Sequence, residues 1–236
     1  MRSKEQNLQG NYLDSLFPIP NAAMKRAKLE AKNLGVEGIS VSAHEMRIIQ
    51  WAIKACGIRK MVEIGTLTGF SGLGLLESLP QEGALWTFEK DEARAKQAKV
   101  IFEEALRADT SGSKKQVYVK CGDARNELET IIDEGPFDGI FIDGNKSAYC
   151  DYLAWAERNL RKGGLVLADN VFLSGAVYDQ VTDKSKDKSN SGGRPRFNSK
   201  QISVMRAFNA RLCDSSLFDS CIVPSVEGLL IAMKLF

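Results

Sequence analysis

Val62-Glu63-Ile64-Gly65-Thr66-Leu67-Thr68-Gly69-Phe70-Ser71 runs from a short apolar segment through a glycine-punctuated turn into a helical pattern. Met61–Ile64 reads as a buried strand, and Gly65 and Gly69 permit a tight turn with close backbone approach. The helix that follows offers unpaired N–H groups at its start. The glycine spacing is GxxxG, so the stretch fails the dinucleotide GxGxxG fingerprint, and with no GK[ST] it is not a phosphate-binding Walker loop. Taken alone, the two glycines could serve only helix–strand packing.

Outward from this turn, the same unit repeats. Ala84–Phe88, Val117–Val119, Gly139–Ile142 and Leu165–Ala168 are short apolar runs bounded by Gly, Asp or Pro, as buried parallel strands are. Helical patterns lie between them. Ala98, Ile101, Phe102, Ala105 and Leu106 share one helix face, and Tyr149, Tyr152, Leu153, Ala156 and Leu160 share another. The alternation predicts an α/β fold, a mostly parallel Rossmann-like sheet with helices on both faces. Near the end, Ser220–Val223 and Leu229–Lys234 flank a Pro-Ser-Val-Glu-Gly turn, which predicts a closing antiparallel hairpin. Upstream, residues 1–38 form a helical extension broken at Pro18 and Pro20, and a helix follows from residue 44 to Cys56. With no internal repeat and no linker between two cores, residues 1–236 are expected to form a single domain. Residues 182–200, rich in Ser, Gly and charge, read as an inserted mobile loop.

Composition removes whole classes of chemistry. The chain has 236 residues, 44% hydrophobic, with 32 Lys+Arg against 30 Asp+Glu. That is enough to bury a sizeable core, too apolar for general disorder, and too evenly charged for whole-molecule attraction to nucleic acid or membrane. Its single histidine, His44, rules out Cys2His2, three-His and HExxH zinc sites and reads as a helix-start residue. Five scattered cysteines without a CxxC pair suit reduced thiols. A polar amino terminus and the absence of a long apolar run predict a cytoplasmic protein without a membrane partner. Trp51, Trp86 and Trp155 read as core or interface residues.

Ligands of doubly wound sheets sit beyond the carboxyl ends of the strands, so each exit is a candidate. Glu89, about 20 residues past the glycine turn, stands where a carboxylate can accept ribose hydroxyls; it could also be an ordinary solvated strand-end glutamate. Gly122-Asp123-Ala124 forms a small turn at the third exit. The fourth exit, Asp143-Gly144-Asn145-Lys146, and the fifth, Asp169-Asn170, bring Asp143, Asp169 and Asn170 to one edge. Three hard oxygen ligands without thiolate or imidazole suit a divalent cation, Mg²⁺ foremost, with Ca²⁺ or Mn²⁺ as alternatives. Lys146 beside such an ion would have its ammonium form disfavoured and so could serve as a base. The bland alternative makes Asp143 and Asp169 helix caps and Lys146 their ion-pair partner.

With these residues assembled, the chain resembles the class I S-adenosylmethionine-dependent O-methyltransferases, in particular the cation-dependent catechol and caffeoyl-CoA group and its small bacterial members. The resemblance runs from Ser40 to Phe236 through VEIGTLTGFS, FEKD, CGDA, FIDGNKSAY, LRKGGLVLADNV, RAFN and VEGLLIAMK. It implies a seven-stranded sheet whose last strand is antiparallel. It also implies S-adenosylmethionine held by Val41, Glu63, Gly65, Thr66 and Ser71 at the methionine end, Glu89 at the ribose, and Asp123 and Ala124 at the adenine. Asp143, Asp169 and Asn170 would bind the metal, with Asp143 also near the cofactor, and Lys146 would be the general base. The reaction implied is methyl transfer to a hydroxyl of an aromatic, catechol-like or hydroxycinnamoyl small molecule, by a homodimer. The chain departs from the family pattern where DADK is Asp143-Gly144-Asn145-Lys146, where Asp-Gly is Glu227-Gly228, and where a substrate-contacting Asn is Ser174. Some bacterial relatives methylate a wobble hydroxyuridine, and residues 179–200 carry three acids against six bases, so tRNA is an alternative partner. A nicotinamide-dependent dehydrogenase and a noncatalytic adenosine-binding module are the rivals from other classes.

Overall fold

Seven strands form one sheet in the order β3-β2-β1-β4-β5-β7-β6 in the computed structural model, which describes residues 4–17, 19, 21–36, 38–178, 197–225 and 227–236. The strands are β1 (Lys60–Ile64), β2 (Ala84–Glu89), β3 (Gln116–Cys121), β4 (Phe137–Ile142), β5 (Leu160–Ala168), β6 (Phe218–Val223) and β7 (Leu229–Lys234). From β1 the chain winds out to β3, then returns to place β4 on the other side of β1, with Met61 opposite Gly139 and Ile64 opposite Ile142. The winding therefore reverses between β1 and β4, which opens a crevice at their carboxyl ends. β7 pairs antiparallel with both β5 and β6, so the last strand alone runs against the rest, as expected.

The helices are α1 (Lys4–Leu16), α2 (Ala22–Asn33), α3 (Ala43–Ala55), α4 (Phe70–Ser78), α5 (Glu92–Ala108), the short α6 (Ala124–Glu127), α7 (Tyr149–Asn159) and α8 (Ser199–Leu212). Alternation along the central strands divides the core. Val62, Ile64, Ile140, Ile142 and Val166 face Tyr149, Leu153, Trp155 and Phe208. Met61, Leu85, Phe141 and Leu167 face Met46, Ile49, Phe70, Leu73 and Phe102. Among the described residues, no helix is long and apolar enough to cross a membrane.

Two expectations need adjustment. β3 lies at the sheet edge and is only partly buried, because it has a single strand neighbour. β5 starts at Leu160 rather than Leu165, its apolar pattern interrupted by Arg161-Lys162-Gly163-Gly164, where the pairing with β4 shifts register. Trp86 and Trp155 are core residues, whereas Trp51 is 73% exposed on α3. Residues 182–196 of the expected loop lie outside the described residues; Ser199 and Lys200 begin α8, which Asn198 caps.

Burial sets the stability consequences. Phe141, fully buried in the central strand β4, should cost about 3–5 kcal/mol when changed to Ala. Trp51→Ala should stay within about 0.5 kcal/mol, and urea denaturation of the two variants checks both values.

Candidate active site

The β1 exit is built by backbone. Gly65 and Thr66 both donate N–H bonds to the Phe88 carbonyl, at 3.0 and 3.1 Å, and Asp143 N–H bonds to Ile64 C=O at 2.9 Å. Gly65 holds φ +104°, and a Cβ there would stand 2.2 Å from the Asp143 carbonyl oxygen. Only glycine permits this contact between the exits of β1 and β4. The turn continues through Leu67 at φ +50°, whose N–H bonds to Glu89 Oε2 at 2.9 Å. Glu89 Oε1 accepts the N–H of Asp91 at 2.9 Å, so this carboxylate ties two strand exits together.

These elements enclose a cavity of about 300 Å³ lined by Gly65, Ser71, Glu89, Asp123, Ala124 and Asp143, among others. Glu63 and Thr66 do not line it; both are fully buried beneath. There Thr87 Oγ1 donates to Glu63 Oε2 at 2.5 Å and meets Thr66 Oγ1 at 2.5 Å. Glu63 Oε1 has no hydrogen-bond partner among the described residues. Burial pushes the Glu63 carboxyl up to about 7, against the bonds from Ser71 and Thr87 and with help from the negative charges of Asp143 and Glu89. Asp123 caps α6, and the Arg125 guanidinium grips its carboxylate at 2.7 and 3.1 Å, which holds its pKa down at about 2.

A second cavity, of about 350 Å³, adjoins the first. Ser40, Asp143 and Gly144 line both. Its other walls include Val41, Glu45, Lys146, Asp169 and Asn170, so Val41 lies here rather than in the first cavity. Asp143, Lys146, Asp169 and Asn170 are thus brought together as the strand exits predict. Lys146 Nζ lies 2.9 Å from Asp143 Oδ1 and 2.8 Å from the Tyr149 hydroxyl. Asp169 is buried, and its Oδ1 accepts the N–H of Asn170 at 2.7 Å, with Asn170 at φ +60°.

The electrostatics follow from burying several acids with one base. Burial raises the Asp169 carboxyl well above the carboxylate range, and the charges of Asp143 and Glu45 raise it further. Asp143 is likewise raised by burial and Glu45, while Lys146 pulls it down. Burial would lower the Lys146 ammonium, but Asp143 and Tyr149 outweigh that and hold it above its usual value. The ion pair of the bland alternative is therefore present, and it favours the ammonium as long as Lys146 is engaged with Asp143. Neither aspartate caps a helix: Asn145 caps the following 3-10 turn, accepting the Ser147 N–H at 3.1 Å.

Among the described residues, no three of His, Cys, Asp and Glu stand close enough to hold a metal. A cation site here would need the Asn170 amide oxygen as well as the carboxylates. That set fits a hard ion, because a dication would stabilise together two carboxyls that repel one another, the buried Asp169 and the half-buried Asp143.

Several contributors escaped the sequence reading. Glu45 forms a capping box with Ser42, a signal visible as Ser-x-x-Glu, and this places a further buried carboxylate on the second cavity. Asn209, inside RAFN, donates to the Val171 carbonyl at 2.9 Å and anchors the turn after Asn170. Ser174 and Glu227, two departures from the family pattern, touch each other: Ser174 N–H and Oγ reach the Glu227 carboxylate at 3.0 and 2.9 Å. His44 Nδ1 meets Asp14 at 2.9 Å and fastens α1 to the start of α3, in keeping with a helix-start role.

A reversed-winding sheet of this order, with paired cavities at its switch point, is the Rossmann-like fold of the methyltransferases. Residues 20–235 match the O-methyltransferase family model. A catechol O-methyltransferase of Niastella koreensis is 31% identical over 225 residues, 94% of this chain and 95% of that protein. A catechol O-methyltransferase of Mycobacterium tuberculosis is 31% identical over 172 residues, 73% and 75% of the two chains. Among solved structures, the O-methyltransferase TomG of Streptomyces achromogenes, in complex with SAM, superimposes with a TM-score of 0.79 at 26% identity over the whole of both chains. The chain belongs to the O-methyltransferase family, and the dehydrogenase reading falls with that assignment.

Glu63 carries a pH signature. Its folded pKa is raised, so the folded chain binds the proton more tightly than the unfolded one. Stability is therefore lost as pH rises from about 4.5 to about 7, by about 3 kcal/mol in all. Glu63→Gln should reduce that slope, and urea denaturation at pH 5 and pH 7 should show the wild type weakening more than the variant, in which the raised Asp169 and Asp143 carboxyls still titrate.

Proposed function

We propose that this chain moves a methyl group from S-adenosylmethionine to a hydroxyl of a catechol-like or hydroxycinnamoyl acceptor, with a divalent cation, Mg²⁺ foremost, at Asp143, Asp169 and Asn170. The observation that carries the reading is Asp143, which lines both cavities and so marks where a donor in one would face an acceptor in the other. The names of the two catechol O-methyltransferase relatives support the acceptor class.

Each residue then has a task. Gly65 and Ser71 would hold the methionine end in the first cavity, with Glu63 and Thr66 supporting its floor from beneath and Val41 closing from the second. Glu89 would take the ribose, and Asp123 and Ala124 would border the adenine. A bound S-adenosylmethionine supplies a sulfonium methyl that needs no activation by the protein, only an oxygen in line behind it. A cation held by Asp143, Asp169 and Asn170 would supply charge that lowers the pKa of an acceptor hydroxyl. With the Asp143 charge offset by a bound cation, Lys146 Nζ would take the hydroxyl proton. The methyl would pass to the acceptor oxygen, with S-adenosylhomocysteine as the other product.

Lys146→Ala should lower kcat by about 10²–10⁴-fold while calorimetry shows S-adenosylhomocysteine binding within about twofold of wild type. A kcat near wild type sinks the base assignment. Wild-type activity should collapse in EDTA and return with Mg²⁺. Asp169→Ala should be slow and indifferent to both, and an intact EDTA response in that variant counts against the cation site.

A further inference from the structure

Tyr149, the first residue of α7, lies three positions after Lys146 and is fully buried. Its hydroxyl has one proton, and two backbone carbonyls lie in reach: Asp169 at 2.9 Å and Ile142 at 3.3 Å. Carbonyl oxygens only accept, so the phenolic proton is committed to them. The phenolic oxygen must therefore accept from Lys146 Nζ, which stands 2.8 Å away. Asp143 Oδ1, at 2.9 Å, takes a second N–H of the same nitrogen. Two of the three substituent directions on Nζ are thus fixed, and the third is left for the cavity that Lys146 lines. In the neutral amine the two N–H groups keep those partners, and the lone pair occupies the third direction.

From this geometry we infer that Tyr149 is a positioning residue that aims the Lys146 lone pair at the acceptor hydroxyl. The inference rests on Lys146 being the base. A hydrogen bond to Asp143 alone would let the amine swing about that one contact; the Tyr149 oxygen supplies the second point that stops it. The ring is itself held edge-on by Phe208, with centroids 5.1 Å apart and planes at 70°. Its two carbonyl partners lie at the end of β4 and one residue past β5, so the phenol also gauges the spacing of the strand exits that carry Asp143 and Asp169.

Tyr149→Phe keeps the ring and removes only the hydroxyl. It should lower kcat about 10–100-fold, while S-adenosylhomocysteine binding by calorimetry stays within about twofold. The decisive comparison is with Lys146→Ala, its residual transfer to a simple catechol read with tritiated S-adenosylmethionine. If Tyr149 acts through Lys146, adding Tyr149→Phe to that variant produces no further loss. An equal loss in both backgrounds, or an undiminished kcat in Tyr149→Phe, overturns the inference. A Lys146→Ala enzyme as fast as wild type instead fails the base assignment, a separate outcome. Should Tyr149→Phe not bind S-adenosylhomocysteine, Phe208→Leu, which frees the ring and leaves its hydroxyl, carries the same comparison with the same expected and contrary results.

Discussion

The approach of Gly65 to the Asp143 carbonyl is the constraint on which the site depends. With no Cβ between them, the exits of β1 and β4 close to backbone contact, and the crevice divides into two cavities sharing Asp143. Gly144 reinforces the closure, since a Cβ there would come 2.8 Å from the Ile64 side chain. Everything downstream inherits this geometry. Glu89 fastens the turn from the β2 side through Leu67, and Tyr149 fastens the β4 and β5 ends from below.

The second consequence is electrostatic. The closed crevice buries Glu63, Glu45 and Asp169 near the half-buried Asp143, with the half-buried Lys146 as the base among them. Burial and mutual repulsion push the Glu63, Asp143 and Asp169 carboxyls up, and the single ammonium relieves Asp143 most directly. Such a set favours a positively charged ligand, a cation or a sulfonium. The acids gathered here therefore favour the charges that the proposed reaction brings in.

Much of the fold was legible because buried parallel strands must be apolar. Met61–Ile64, Ala84–Phe88 and Gly139–Ile142 all proved to be central strands with little exposure. Val117–Val119 reads the same way but lies at the edge, since local composition does not register how many neighbours a strand will have. Of the candidate site, Asp143, Lys146, Asp169 and Asn170 could be placed together by the rule that strand exits converge. Tyr149 was read only as a core aromatic, and Glu45 not at all, because hydrophobic periodicity reports burial and is silent about the partner of a polar atom.

The sequence by itself determined the order of strands and helices, the glycine turn and the residues presented at each exit, since these follow from local pattern and from the handedness of βαβ winding. The tertiary structure alone decided that Lys146 pairs with Asp143 while resting on Tyr149, that Glu63 is sealed under the cavity floor, and that Ser174 meets Glu227. Those contacts join residues distant in the chain or depend on the direction of individual protons. The energies that select them, desolvation and mutual charge, exist only once the crevice has closed.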